Sequence, residues 1–161
     1  MSKPRLAVSV IGAGAATPRE ARLAEEVGRL LAQRGAVLVC GGLGGVMEAA
    51  CRGAQSAGGL TVGILPDYDR SAVNPWTDVA IATGLAEARN VIVVASGDGV
   101  IAVGGSLGTL SEIAFALKLR RPVVALESWR LEAERLPDHS RLLRAETPAQ
   151  AVELLFRELG A

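Results

Sequence analysis

Short, nearly all-apolar runs recur along the chain, each followed by small residues and then by a segment whose apolar positions return at helical spacing. The pattern predicts a strand over 6–11 and a helix over 18–34, in which Leu23, Val27, Leu30 and Leu31 share one face. It continues with strand "AVLVC" at 36–40, a helix over 44–57 and strand "LTVGIL" at 60–65. A less regular stretch, 66–77, carries Pro66, Pro75 and Trp76 and leads into a short strand, "DVAIAT", at 78–83. A helix near 85–95, strand "GVIAVG" at 99–104, a helix within "VGGSLGTLSEIAFALKL" (103–119) and strand "PVVAL" at 122–126 follow. After Trp129 a polar loop is expected, then a last helix. Two helix starts are spelled out by N-cap threonine, first-turn proline and a reaching Glu or Gln: Thr17, Pro18, Glu20 and Thr147, Pro148, Gln150.

Strands that are apolar on both faces and alternate with helices argue for an α/β fold with a parallel sheet covered on each side. In such a sheet, ligands bind beyond the carboxyl ends of the strands, where strand order reverses. Three glycine-rich turns fall at strand ends: Gly12 and Gly14 in "GAGAAT", Gly41, Gly42, Gly44 and Gly45 in "GGLGG", and Gly104, Gly105, Ser106, Gly108 and Thr109 in "GGSLGT". Together they form a candidate ligand site. A helix N-terminus offers free N–H groups and a partial positive charge, so Gly108, Thr109 and Leu110 can surround a phosphate. The same residues read equally well as a capping box, Thr109 to Glu112.

Composition narrows the ligand. The chain has 161 residues, half of them hydrophobic, which fits one domain spanning 1–161. Lys+Arg and Asp+Glu are both 17, with no basic run and no interleaved aromatics, so nucleic acid is not expected as a partner. No apolar run reaches the ~20 residues of a membrane span. The N-terminal "MSKPRLAVSVIGAGAA" has some features of a secretory signal but reads better as a first strand entering a glycine turn. Cys40 and Cys51 lie in apolar surroundings without CxxC spacing, which argues against a structural disulfide or zinc and for a reducing, cytoplasmic setting. No metal site is expected.

Common nucleotide sites fit poorly. A dinucleotide fingerprint would place a carboxylate after the second strand, where this chain has Gly41 and Gly42. A P-loop would need a lysine after its glycines, and the only lysines are Lys3 and Lys118. Asn74, Thr83 and Gly84 flank loops near the crevice, while Met47 reads as core and His139 as a solvated turn residue. Glu48 reads as a helix cap, and Trp76 and Trp129 as covers of the crevice or of a subunit contact.

"GGLGGVMEAACRGA" and "TGLAEARNVIVVASGDGVIAVGGSLGTLSEIAFAL" resemble the superfamily that includes the Lonely Guy phosphoribohydrolases and the molybdenum cofactor carrier proteins, over residues 6 to about 126. The short chain and the segment from "LPDYDRSAVNPW" to "ATGLAEARN" are more similar to the carrier branch. The resemblance implies a Rossmann-like, doubly wound domain, a homo-oligomer (dimer or dimer of dimers), and phosphate held by the loop ending at Thr109. It implies a carrier or binding protein for a phosphorylated, nucleotide-like or pterin-like molecule, with bound molybdenum cofactor or a nucleoside monophosphate as ligand and no cofactor required. The alternative it implies is a nucleoside 5′-monophosphate phosphoribohydrolase with Arg89 and Glu112 as the catalytic pair. A third, a single-stranded DNA-binding protein, is disfavoured by the charge balance. Relatives are often labelled lysine decarboxylases, and Lys118 gives that label no support. The enzymes' P-G-G-x-G-T-x-x-E motif maps onto Gly104 to Glu112, with Gly104 replacing proline, Ser106 replacing a glycine, and Asn90 standing where the enzymes carry lysine.

Overall fold

Residues 4–161 are described by a computed structural model. Seven strands run in the order β4-β3-β2-β1-β5-β6-β7, and every neighbouring pair is parallel. They are β1 (Ala7–Gly12), β2 (Val37–Cys40), β3 (Thr61–Leu65), β4 (Val79–Ala82), β5 (Gly99–Val103), β6 (Val123–Leu126) and β7 (Leu142–Ala145). Five helices cover the sheet: α1 (Pro18–Gln33), α2 (Val46–Ser56), α3 (Arg89–Ser96), α4 (Leu107–Lys118) and α5 (Pro148–Leu159). Helices α1, α2 and α5 bury Val27, Leu31, Val46 and Leu155 against one face, and α3 and α4 bury Val93, Val94 and Ile113 against the other. This is the expected doubly wound, Rossmann-like α/β arrangement. Strand order reverses between β1 and β5, so the crevice opens at the carboxyl ends of these two strands.

Sequence grammar set the helix starts well in two places. The Thr17 hydroxyl accepts from the Glu20 N–H at 3.2 Å while Glu20 accepts from the Thr17 N–H at 2.8 Å. At α5, Thr147 accepts from the Gln150 N–H at 3.2 Å and Gln150 accepts from the Glu146 N–H at 2.8 Å.

Four expectations are corrected. The polar loop before α5 contains β7, a four-residue edge strand interrupted by Arg144, whose charge hides the strand pattern. Helix α2 starts at Val46 rather than 44, because Gly45 takes φ +64° as its N-cap. The helix expected near 85–95 is a 3₁₀ turn, Ala86–Ala88, leading into α3. Helix α4 starts after Ser106, so Glu112 lies a full turn inside the helix, and the capping box proposed for Thr109 and Glu112 is not the one used. Among the described residues no helix is long and apolar enough to cross a membrane.

Helices α1 and α2 cross at glycines. A Cβ on Gly28 would lie 2.0 Å from the Ala50 carbonyl oxygen, and one on Gly53 would lie 1.8 Å from that of Glu25. The bare backbones therefore touch, which brings the two glycine loops that precede these helices side by side. Gly45 and the Ala13–Gly14 segment are in close contact for the same reason, and the Val46 N–H donates to the Ala13 carbonyl at 3.0 Å.

Candidate functional site

At the β1/β5 switch point a cavity of about 200 Å³ opens. It is lined by Gly12 and Gly14 after β1, Gly41 after β2, and Ser106, Gly108 and Thr109 at the start of α4. Arg89 and Asn90, from the first turn of α3, and Glu112, one turn inside α4, complete the polar lining. Val10, Ile11, Leu43 and Met47 supply the apolar wall. Met47, expected as core, serves both purposes, since it is buried and also faces the cavity. Ile11 and Leu43 carry no signal that distinguishes them from ordinary core residues in the sequence.

Eight of the thirteen sequence-predicted site residues thus converge on one cavity. The other five do not line it. Gly42, at φ +76°, packs against Leu65 and Gly63, and Gly45 packs against the loop after β1. Gly44 approaches the Gly14 carbonyl. Gly104 and Gly105 line an adjoining depression with Glu20, Glu127, Ser128 and Trp129. Trp129 donates from Nε1 to the Ser106 carbonyl at 3.0 Å, which ties the β6 loop to the start of α4.

Asn74, Thr83 and Gly84 are not at the cavity. The buried Asn74 donates to the Leu43 carbonyl at 3.0 Å and accepts from the Trp76 N–H at 3.0 Å, so it pins the 66–78 segment to the second glycine loop. Thr83 donates to the Leu65 carbonyl at 2.6 Å, and Gly84 turns against the Tyr68 ring. Glu48 sits in the first turn of α2 without capping it. His139 is exposed, beside Lys118 and away from the switch point.

The backbone of the third loop departs from the enzymes' motif at its first position. Gly104 has φ +56°, a conformation closed to proline, whose ring fixes φ near −65°. Gly105 also has positive φ, at +129°, whereas Ser106 sits at −107°. Serine in the second glycine's place is therefore free of backbone strain. At the helix start, the Leu110 N–H already donates to the Ser106 carbonyl at 3.0 Å. Thr109, at the third helical position, turns its N–H to the Ser106 side chain in a capping box, so the free amides are those of Leu107 and Gly108, and the expected anion cradle moves toward the start of the helix.

Arg89 and Glu112 are only 8% and 7% exposed. Arg89 donates from Nη1 to the Asn90 side-chain oxygen and from Nη2 to the Gly41 carbonyl, and its buried Nε has no partner. A desolvated guanidinium held by two neutral acceptors and one unmet donor is a strong attractor for an anion. Burial works against its charge, and the nearby Glu112 carboxylate partly offsets this. Burial pushes the Glu112 carboxyl up to about 7, against the opposing pull of Arg89. Near neutral pH it is therefore poised to donate or accept a proton.

This raised pKa fixes a sign for stability. Glu112 binds its proton more tightly in the folded than in the unfolded chain, so its contribution is fully present below the ordinary value of 4.5 and is lost as pH rises through about 7. Between those limits the wild type is expected to lose about 2–3 kcal/mol relative to Glu112→Gln, whose side chain does not titrate. Urea unfolding of both proteins at pH 5 and pH 8 checks this, and parallel curves would show that Glu112 titrates normally.

The molybdenum cofactor binding protein from Rippkaea orientalis has a similar structure, with a TM-score of 0.90 and 42% identity, covering 98% of this chain and 99% of that one. The molybdenum cofactor carrier protein from Chlamydomonas reinhardtii matches with a TM-score of 0.87 and 35% identity, covering 98% of this chain and 100% of that one. A cytokinin riboside 5′-monophosphate phosphoribohydrolase from Mycobacterium tuberculosis is 34% identical over 128 residues, covering 71% of this chain and 68% of that protein. DNA processing protein A from Helicobacter pylori, at 22% identity and a TM-score of 0.69 over 95% of this chain and 81% of that one, shares the fold alone. The match to a family model spans residues 5–152, nearly the whole chain: the protein belongs to the SLOG cluster4 family.

Proposed function

We propose that this protein binds and carries a phosphorylated, pterin-like or nucleotide-like small molecule, with molybdenum cofactor as the first ligand to test. The observation that carries the reading is the buried Arg89, its Nε unmet, facing the free amides of α4 across a cavity at the switch point. Two sources of positive potential thus converge on one volume, and the donors fit a phosphate. At about 200 Å³ the cavity holds a phosphate and the part of the ligand next to it, while a typical small-molecule site is about 300–1,000 Å³. The rest of such a ligand projects into solvent, where a receiving protein can reach it. The similarity to a molybdenum cofactor binding protein and a molybdenum cofactor carrier supports the same reading.

Glu112 beside Arg89 favours one alternative, hydrolysis of a nucleoside 5′-monophosphate. A carboxylate there can stabilise a cationic sugar or orient a water. The experiment is to incubate wild type and Glu112→Gln with a panel of nucleoside monophosphates, quantify free base by chromatography, and titrate both with molybdenum cofactor. Retention of the cofactor without release of base is expected. Base release by wild type and not by Glu112→Gln would replace the carrier reading with the phosphoribohydrolase.

The proposal includes a homo-oligomer in the cytoplasm. Ile92, Phe115 and Leu119 stand out on the α3 and α4 side, and Val79 and Ile81 on edge strand β4. Light scattering at micromolar concentration is expected to give at least twice the chain mass, and a monomer would remove this part.

A further inference from the structure

The two cysteines lie directly beneath the second glycine loop. Cys40 ends β2 and Cys51 lies within α2, and their sulfurs are 3.5 Å apart as free, fully buried thiols. The Gly42 N–H donates to the Cys40 sulfur at 3.3 Å, and the Cys51 sulfur lies 3.8 Å from the Thr77 hydroxyl. The residue after Cys40 is Gly41, whose carbonyl accepts from Arg89. A Cβ on Gly41 would lie 2.7 Å from the Met47 sulfur and 2.9 Å from an Arg89 nitrogen, so its backbone has no slack toward the cavity.

We propose that Cys40 and Cys51 form a reversible redox-modification site for small hydroperoxides, and that the disulfide clamps the second glycine loop. This goes beyond ligand binding and does not depend on which ligand the cavity takes. Closing the bond means bringing the sulfurs from 3.5 Å to about 2.05 Å, a shift within reach of side-chain rotation and a small movement of α2. The bond would enclose residues 41–50, which hold the Gly41–Gly45 loop and the first turn of α2.

The chemistry balances with one peroxide. The Cys51 thiolate attacks a peroxide oxygen, the O–O bond breaks, and a sulfenic acid and hydroxide result. The Cys40 sulfur then attacks the sulfenic sulfur and expels its oxygen. Each thiol gives up its proton, and two waters leave in all. Cys51 suits the first step because its sulfur lies 3.8 Å from the Thr77 hydroxyl, and because the Cys40 hydrogen bond draws its pKa down against its own burial, while Cys40 is pushed up. Both sulfurs are buried, so the reaction requires local opening of the irregular segment over α2, where Thr77 is only half-buried, to admit a peroxide.

The test treats the folded, full chain with hydrogen peroxide. Intact-mass analysis and peptide mapping read the bond, and hydrogen–deuterium exchange of peptides spanning 41–50 reads the loop. The expected result is loss of two hydrogen atoms, a Cys40–Cys51 cross-link reversed by dithiothreitol, and exchange in 41–50 slowed about fivefold or more. Cys51→Ser and Cys40→Ala, which keep one thiol each, should show neither effect. Persistence of both thiols under a dose that oxidises an exposed cysteine, or over-oxidation without a cross-link, would overturn the proposal. So would a cross-link formed only in unfolded protein, or one that leaves exchange in 41–50 unchanged or faster.

Discussion

Gly53→Ala is expected to destabilise the protein by about 3 kcal/mol or more, although alanine favours a helix over glycine by about 1 kcal/mol. The added methyl would lie 1.8 Å from the Glu25 carbonyl oxygen, which is backbone and cannot rotate away. The α1–α2 crossing must open to admit it, as it must for Gly28→Ala from the opposite side. Because these helices hold the first two glycine loops in contact, a separation here also loosens the cavity 's rim. Urea denaturation measures the loss, with Gly58→Ala as reference. Gly58 has φ +73° but nothing within 4 Å of its missing Cβ, so its substitution costs only the left-handed backbone penalty of about 1–2 kcal/mol. Equal losses at Gly53 and Gly58 would show that the crossing yields easily.

Arg89→Met is expected to lower affinity for the phosphorylated ligand about a hundredfold or more while leaving stability unchanged or raised. Truncating one member of a buried charge contact costs about 2–5 kcal/mol of binding. The folded state, by contrast, gains little from a desolvated guanidinium with an unmet Nε, and methionine fills much the same volume without that penalty. Arg89→Lys keeps the charge but not the planar fork that reaches both Asn90 and Gly41, and should bind with intermediate affinity. Calorimetric titration with molybdenum cofactor and thermal unfolding, run on the same preparations, give the two readouts. Loss of stability together with binding would make Arg89 a structural residue.

The strands could be read from sequence where a short, doubly buried apolar run is bounded by turn residues, as "GVIAV" is by Asp98 and Gly104; the run alone does not decide, since "VIVVA" in α3 is just as short and apolar but helical. They could not where an edge exposes a charge, as at Arg144 in β7. Glycine pattern located three loops but not which glycines face the ligand. Gly41 and Gly42 are neighbours, yet one lines the cavity and the other supports the sheet, a difference set by backbone angles. The start of α4 was ambiguous for a related reason. Ser106 and Thr109 are both plausible N-caps, each with a polar residue three positions on, and moving the start by one turn sends Glu112 from the helix end into the cavity. Asn74 lay near the right loops in sequence, but its bonds to backbone only become visible once the 66–78 segment folds back over Leu43.

The pairing of β1 with β5 also dictates when the cavity can exist during synthesis. Val8 aligns with Gly99 and Gly12 with Val103, so the central seam of the sheet joins two strands that lie far apart in sequence. A nascent chain on the ribosome can assemble β1, α1 and β2 early, but β1 then presents an unpaired inner edge until β5 has been made. Any arrest before Val103 leaves that edge open to other chains, so the site can form only late in folding, and incomplete chains are the species most in need of a chaperone.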